Sequence, residues 1–354
     1  MSPLTPGAPR AHHINQGMER RTFIIVTVAG GIGLLEYTLV SRYMNSLRAP
    51  RGASVKAFGA SERAALLAIT PNEDFYVTSK GATPHVDLSK WRLKIDGLVR
   101  NPLTLDYDDI RKLPRIEKAL TLECIENPIG GGFVGNARWT GTALRPLLER
   151  AGPAPDAVHA ILYAADGLST GHPITRLWND ENFLADQMNG EDLPPDHGYP
   201  LRIFLPGKYG MKQPKWITRI EFVNHAYLGY WEKRGWSDDS ERWAHARFTD
   251  LKDGARISGR NFELTGYAIG NLDDIQAVEI SFDDGKTWQP ATLFSHPSPL
   301  TWAFWKYLWV NPEPGKYTLR VRAIDGKGRV EGPDPTSVFP DGATGQQALD
   351  VTVA

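Results

Sequence analysis

From Phe248 to Ala354 the chain is a succession of short runs in which apolar and polar residues alternate, as in "ARISGRNFELTGYAIG" and "YTLRVRAIDGKGRV". Alternation with a period of two puts every second side chain on one face of a strand, so each run has a single face to bury. The runs are separated by "NLDD", "DDGK" and "PEPGK", combinations that close tight turns. Strands of this length at this spacing pack as two layers, and about 107 residues is the size of one immunoglobulin-like β-sandwich.

Upstream of residue 248 the texture differs. "DFYVTSK", "WRLKIDGLV", "KALTLEC", "AVHAILYAAD", "PLRIFLPG" and "KWITRIEFV" have the aromatic and branched residues of strands. "SERAALLAITP" is expected to form a short helix that stops at Pro71, and "TLDYDDIRKLP" a helix capped near Thr104. "RWTGTALRPLLERAG" places Leu144, Leu147, Leu148 and Ala151 at helical spacing and ends at Gly152. Strands and helices alternate without the regular repeat of a doubly wound sheet, so the fold class expected is α+β.

The 40 basic and 41 acidic residues nearly cancel, which points away from nucleic acid as a partner. No G-x-G-x-x-G or Walker motif occurs, which argues against a nucleotide enzyme. Near the N-terminus, Arg20-Arg21 stands directly before the uncharged stretch from Phe23 to Leu35. This order resembles a twin-arginine export signal, and a basic-flanked membrane anchor is the alternative. Export to the periplasm or cell-envelope exterior, with or without an N-terminal tether, is the expectation.

The single cysteine, Cys124, sits where "KALTLEC" gives way to the Pro- and Gly-rich "IENPIGG". One cysteine excludes an internal disulfide and Cys-rich zinc or iron–sulfur sites. A lone cysteine is by default a small buried hydrophobe. Downstream, His197, Arg202, Lys208, Lys212 and Lys215 fall within nineteen residues among Gly and Pro turns. A buried phosphate needs such a cluster, although a basic surface loop would look the same.

Taken together, "DFYV", "WRLKIDGLV", "LECIENPIGG", "ARWTGTALRPLLERAG", "MNGEDLPPDHGYPLRIFLPGKYGMKQPKWITRIEF" and "VEISFDDGKTWQPATL" resemble the sulfite oxidase superfamily of molybdopterin enzymes. The resemblance covers most of the chain after residue 70. It implies a signal or anchor over residues 1–45, a molybdopterin-binding catalytic domain over 60–245, and an immunoglobulin-like dimerisation domain over 248–354. The implied cofactor is molybdenum–molybdopterin, with Cys124 as the protein's thiolate ligand to the metal. By the same resemblance Tyr76, Asp166, His197 and Arg202 would hold the pterin and its phosphate. Gln213, Pro214 and Lys215 would contribute backbone amides or a side-chain cation. For Asp166, in "AADGLS", a plain turn role is the alternative.

Departures from the family pattern fall on the substrate side. Where sulfite oxidases carry Arg-Asn-His after the aromatic pair, this chain has Thr78, Ser79 and Lys80. Where they present a tyrosine, it has Trp236, whose indole can donate a hydrogen bond but cannot serve as an acid or base. "CIENP" also lacks the arginines that follow the cysteine. Thr78, Lys80 and Trp236 are therefore the expected substrate-facing residues beside Cys124. The implied activity is two-electron oxygen-atom transfer on a small sulfur compound. The alternatives are reduction of a neutral S- or N-oxide, as in methionine sulfoxide reductases of the superfamily, and a cofactor carrier with little catalysis. With no haem domain in the sequence, electrons would pass to a separate cytochrome or membrane haem protein. A homodimer is a further expectation.

Overall fold

The alternating segments fold into four sheets in the computed structural model, which describes residues 69–354. The first has five strands in the order Leu103–Leu105, Leu93–Gly97, Ile217–Val223, His159–Ala164 and Ser169–Pro173. Only Leu93–Gly97 and Ile217–Val223 run parallel. A parallel pair needs a long connection between its strands. Here that connection contains the second sheet, ordered Ile116–Glu123, Val134–Ala143, Phe183–Met188 and Glu191–Asp192, with Arg202–Phe204 also paired to Phe183–Met188. Leu93, Ile95, Ile220 and Phe222 bury one face of the first sheet against Leu144, Leu147 and Leu148. The core of the second is aromatic: Trp139, Phe183 and Phe204 lie with ring centroids 4.6 and 4.9 Å apart.

The remaining strands form a sandwich. One layer is His245–Phe248, Asn261–Ile269, Ala303–Val310 and Thr292–Ser295. The other is Ala255–Ile257, Gln347–Val353, Gly315–Asp325, Ile275–Ser281 and Gln289–Pro290. Leu319, Val321 and Ala323 alternate inward along Gly315–Asp325 and meet Trp305, Leu264 and Val278 in a shared core. With three short helices among the described residues beside these sheets, the fold is α+β, as expected.

Several local expectations are corrected. "DFYVTSK" is not a strand: Asp74 and Phe75 donate back to Pro71 O, and the aromatic pair plugs the second sheet instead. The Phe75 ring lies where a Cβ on Gly135 would come within 2.8 Å, so only glycine leaves it room. The helix Tyr107–Lys112 is capped by Asp106, not near Thr104. Leu103 and Leu105 bury their side chains against the first sheet, which makes Thr104 part of a strand. In "RWTGTALRPLLERAG" the first half belongs to the strand Val134–Ala143, and the helix is only Arg145–Ala151, ended by Gly152 at φ 62°. Residues 61–68 of the expected "SERAALLAITP" helix and the Arg20-Arg21 segment lie outside the described residues.

Candidate active site

Cys124 follows directly on Ile116–Glu123, and hydrogen bonds hold the chain as it leaves the strand. Its N–H donates to Phe133 O at 3.0 Å, and its carbonyl accepts from Asn127 N at 3.0 Å. The Asn127 side chain bridges Glu123 Oε1 at 2.9 Å and Phe133 N at 2.9 Å. The loop is tight enough that a Cβ on Gly131 would meet Asn127 Oδ1 at 2.4 Å. The Thr78 hydroxyl donates to Cys124 Sγ at 3.8 Å, so the segment after the aromatic plug crosses the thiol.

Burial pushes the Cys124 thiol up to about 12, and the neighbouring Glu126 adds to the effect. Left to its own surroundings it is a neutral thiol, and only a cation on the sulfur makes it a thiolate. Among the described residues no three His, Cys, Asp or Glu side chains group to hold a metal ion. A single protein thiolate suits a metal that brings other ligands of its own, as a pterin dithiolene does.

The basic segment divides into two groups. Lys208 is paired with Asp239 at 2.5 Å and Glu241 at 2.9 Å, and Lys212 with Glu232 at 2.6 Å and Asp238 at 3.0 Å. Both are therefore neutralised within the fold, so the cluster is not one set of cations around a phosphate. Among the described residues, Arg202 and Lys215 have no carboxylate within ion-pair range. Arg202 is 3% exposed, donates from Nη1 to His197 O at 2.9 Å, and lies over the Phe204 and Trp139 rings at 4.5 and 5.0 Å. Its Nε has no partner. Burial draws its guanidinium down to about 10. Lys215 Nζ donates to Thr78 O, Ser79 Oγ and Asp196 O at 2.9, 2.8 and 2.8 Å, and burial and then Arg202 draw it down to about 7.

Two backbone features set this pair. Gly198, at φ 119°, lies between them, and a Cβ there would come within 3.0 Å of Arg202 Cβ and 3.3 Å of Lys215 Cβ. Trp216, next to Lys215, holds a left-handed φ of 54° with its ring buried and Nε1 on Pro195 O at 2.8 Å. A strained non-glycine residue persists only where its surroundings fix it. Here it aims Lys215 at residues 78 and 79. A buried and a half-buried cation with no ion-pair partner among the described residues, an unpaired guanidinium nitrogen and a glycine-floored gap between them fit an anion of phosphate charge. The donor set at Cys124 and this cradle fit the molybdenum cofactor.

The other expected residues are placed as follows. Tyr76 has a buried hydroxyl without a partner, and burial and then Cys124 raise its phenol well above the usual range. His197 is neutral, drawn to about 4 by burial and then Arg202, and its Nε2 donates to Asn72 O at 3.2 Å. Asp166 Oδ1 accepts from Leu168 N at 2.9 Å, the turn role, while its carbonyl takes Lys80 Nζ at 2.5 Å. Lys80 is thus tied to that turn. Gln213 and Pro214 are corrected as donors. The Gln213 N–H is bonded to Gly210 O and its side chain to Leu205 N and Lys208 O; Pro214 has no N–H, and its carbonyl accepts from Ile203. Trp236 is placed by an aromatic contact. Its ring packs edge-on against Phe339 at 5.1 Å, and none of its described contacts reaches Cys124 or Thr78. Not foreseen were Ser79 and Asp196 as partners of Lys215, and Gly198 between the cations. The "DHGYPLR" turn was the one signal for the last of these.

Comparison with known proteins agrees with this geometry. Residues 80–231 match the family described as oxidoreductase molybdopterin binding domain. An uncharacterized oxidoreductase of Bacillus subtilis, YuiH, is 33% identical over 186 residues, which cover 51% of this chain and 92% of that protein. Sulfite oxidase of Gallus gallus is 29% identical over 339 residues, covering 81% and 73% respectively. The crystal structure of sulfane dehydrogenase SoxCD from Paracoccus pantotrophus superposes with a TM-score of 0.73 at 21% identity, over 92% of this chain and 93% of that one, which shows a shared fold. The chain belongs to the sulfite oxidase superfamily of molybdenum–molybdopterin oxidoreductases.

Proposed function

We propose that the protein carries out two-electron oxygen-atom transfer on a small sulfur compound, with Cys124 as the thiolate ligand and Arg202 and Lys215 on the pterin phosphate. The observation that carries this is the pair of cations, Arg202 buried and Lys215 half-buried, that have no carboxylate partner among the described residues and lie near the chain's one thiol. The cofactor, when bound, supplies two-electron redox chemistry and oxygen exchange with water. Oxidation of a substrate S then balances as S plus water giving SO, two protons and two electrons.

Each residue has a defined part. Arg202 offers its unpaired Nε edge to the phosphate, in a dry site where charge-assisted bonds are strongest. Lys215 adds a second charge while its bonds to residues 78 and 79 hold that segment across the thiol. Thr78 donates to Sγ and so moderates the electron density on the sulfur. Tyr76 keeps a neutral phenol whose free O–H can reach a bound group. Electrons pass to a separate cytochrome or membrane haem protein. The site works after twin-arginine export, and the sandwich is the surface for a homodimer.

One observation favours a second reading, reduction of a neutral S- or N-oxide. Thr78, the side chain on Cys124 Sγ, is uncharged, and Lys80 is turned onto Asp166 O. If Arg202 and Lys215 serve the phosphate, little charge remains for a sulfite dianion. The test is metal and pterin analysis of purified protein, then parallel assays with artificial carriers on sulfite and methionine sulfoxide. Protein free of molybdenum and pterin after expression with a cofactor supply overturns the site. Fast sulfite turnover with a low KM overturns the neutral-substrate reading.

A further inference from the structure

Ile116–Glu123 is an edge strand, paired on one side only with Val134–Ala143. An edge leaves backbone N–H and C=O groups that must find partners elsewhere. At Thr121, three residues before Cys124, the partners come from the sandwich and the segment leading into it. Thr121 N donates to Leu300 O at 2.9 Å, and its hydroxyl accepts from Trp302 N at 2.8 Å. Its carbonyl accepts from Arg242 Nη1 at 2.8 Å.

Arg242 closes the connection. It is 5% exposed, and Nη2 donates to Gly270 O at 2.7 Å, directly after the sandwich strand Asn261–Ile269. Its own N–H donates to Gly207 O at 2.9 Å, which ties it to the turn between Arg202 and Lys208 within the basic segment. One planar guanidinium therefore spans the strand that ends at Cys124 and the edge of the sandwich. Two residues on from Thr121, Glu123 Oε1 also lies 3.5 Å from His245 Nε2, the first residue of the sandwich strand His245–Phe248.

We propose that Arg242 is a positioning residue for Cys124: through Thr121 it fixes the thiol-bearing end of the strand to the sandwich. The sandwich then belongs to the frame of the metal site and is more than an appended module. The inference rests on Cys124 as the ligand, but its main test does not need the cofactor.

Cys124 is the only cysteine in the chain, so alkylation reports on it alone. In cofactor-free protein, Arg242→Met keeps the length and removes both bonds, and Arg242→Lys keeps the charge but can reach only one carbonyl. Iodoacetamide should modify Cys124 about tenfold faster in Arg242→Met than in the parent, through local opening of the strand end, with Arg242→Lys between them. The urea midpoint of each variant gives the fraction of globally unfolded chains. An alkylation rate that rises no further than that fraction, or does not rise, overturns the proposal. If Arg242→Met does not fold, Arg242→Lys decides the matter by the same ratio, because it loses one of the two carbonyl bonds that join Thr121 to Gly270. In cofactor-loaded protein Arg242→Met should also shift the Mo(V) electron paramagnetic resonance signal. A parent spectrum unchanged in Cys124→Ser would instead overturn the ligand assignment, whatever the alkylation shows.

Discussion

Replacing Arg202 with methionine should move the protein in opposite directions with and without its cofactor. In the cofactor-free chain the guanidinium is buried at 3% exposure, has one hydrogen bond, to His197 O, and no carboxylate. Burial draws it from 12.5 down to about 10, so the folded chain tolerates the charge poorly. At about 1.4 kcal/mol for each pKa unit, that is a cost of about 3 kcal/mol. Methionine fits the slot over Phe204 and Trp139 as a flexible apolar side chain and carries no such cost. Set against it are the lost bond to His197 and the lost ring contacts, about 1–2 kcal/mol together. The net expectation is a cofactor-free protein more stable by about 1–2 kcal/mol. The cofactor-loaded form should be lost, because the phosphate loses its best-placed donor. Urea unfolding of cofactor-free parent and variant, with pterin fluorescence and molybdenum content after expression, gives both numbers. A cofactor-free variant destabilised by several kcal/mol would show Arg202 to be a structural post. Normal pterin content would refute its place on the phosphate.

Three further outcomes follow from the same geometry. Cys124→Ser should fold with stability within about 1 kcal/mol of the parent, since the thiol is neutral without metal, but show an altered Mo(V) spectrum and almost no turnover. Lys215 has a folded value near 7 against an ordinary 10.5, so between these the unfolded chain binds the extra proton and stability rises with pH. In cofactor-free protein that rise should be present in the parent and absent in Lys215→Met, and cofactor loading should flatten it; equal slopes in unloaded parent and variant refute the shift. Lys212→Met should cost about 3–5 kcal/mol by stranding the buried Glu232, yet leave cofactor content per folded molecule unchanged. Loss of pterin from folded Lys212→Met would return that lysine to the phosphate site.

The sandwich was legible because each of its strands buries one face, and a period of two survives in the sequence whatever the partner strands are. The strand end at Cys124 was legible for a similar reason: an apolar run stops at Pro and Gly. The fate of the lysines was not. Lys208 and Lys212 look the same as Lys215 locally, and what neutralises them is Glu232, Asp238, Asp239 and Glu241, acids 20 to 33 residues away. The ring of Phe339 against Trp236 is equally invisible locally, since it comes from the far end of the chain. The aromatic plug at Phe75 and Tyr76 has the composition of a strand, and only the turn back to Pro71 O and the space above Gly135 show that it is not one.

Arg202 and Lys215 stand on different sheets. Arg202 begins the strand that pairs with Phe183–Met188 in the second sheet, whereas Lys215 is followed, after Trp216, by the central strand of the first. The sheets already touch through Ile217 N on Leu201 O and Ile203 N on Pro214 O, at 3.0 and 3.2 Å. A phosphate held by both cations would add a cross-brace at that seam and replace their mutual repulsion with attraction. Loading would then act as a mechanical stiffener, slowing amide exchange along Arg202–Phe204 and the start of Ile217–Val223 while leaving the sandwich strands alone. An empty molecule would keep its shape and lose its stiffness, a difference a quality-control step could sense without touching the metal.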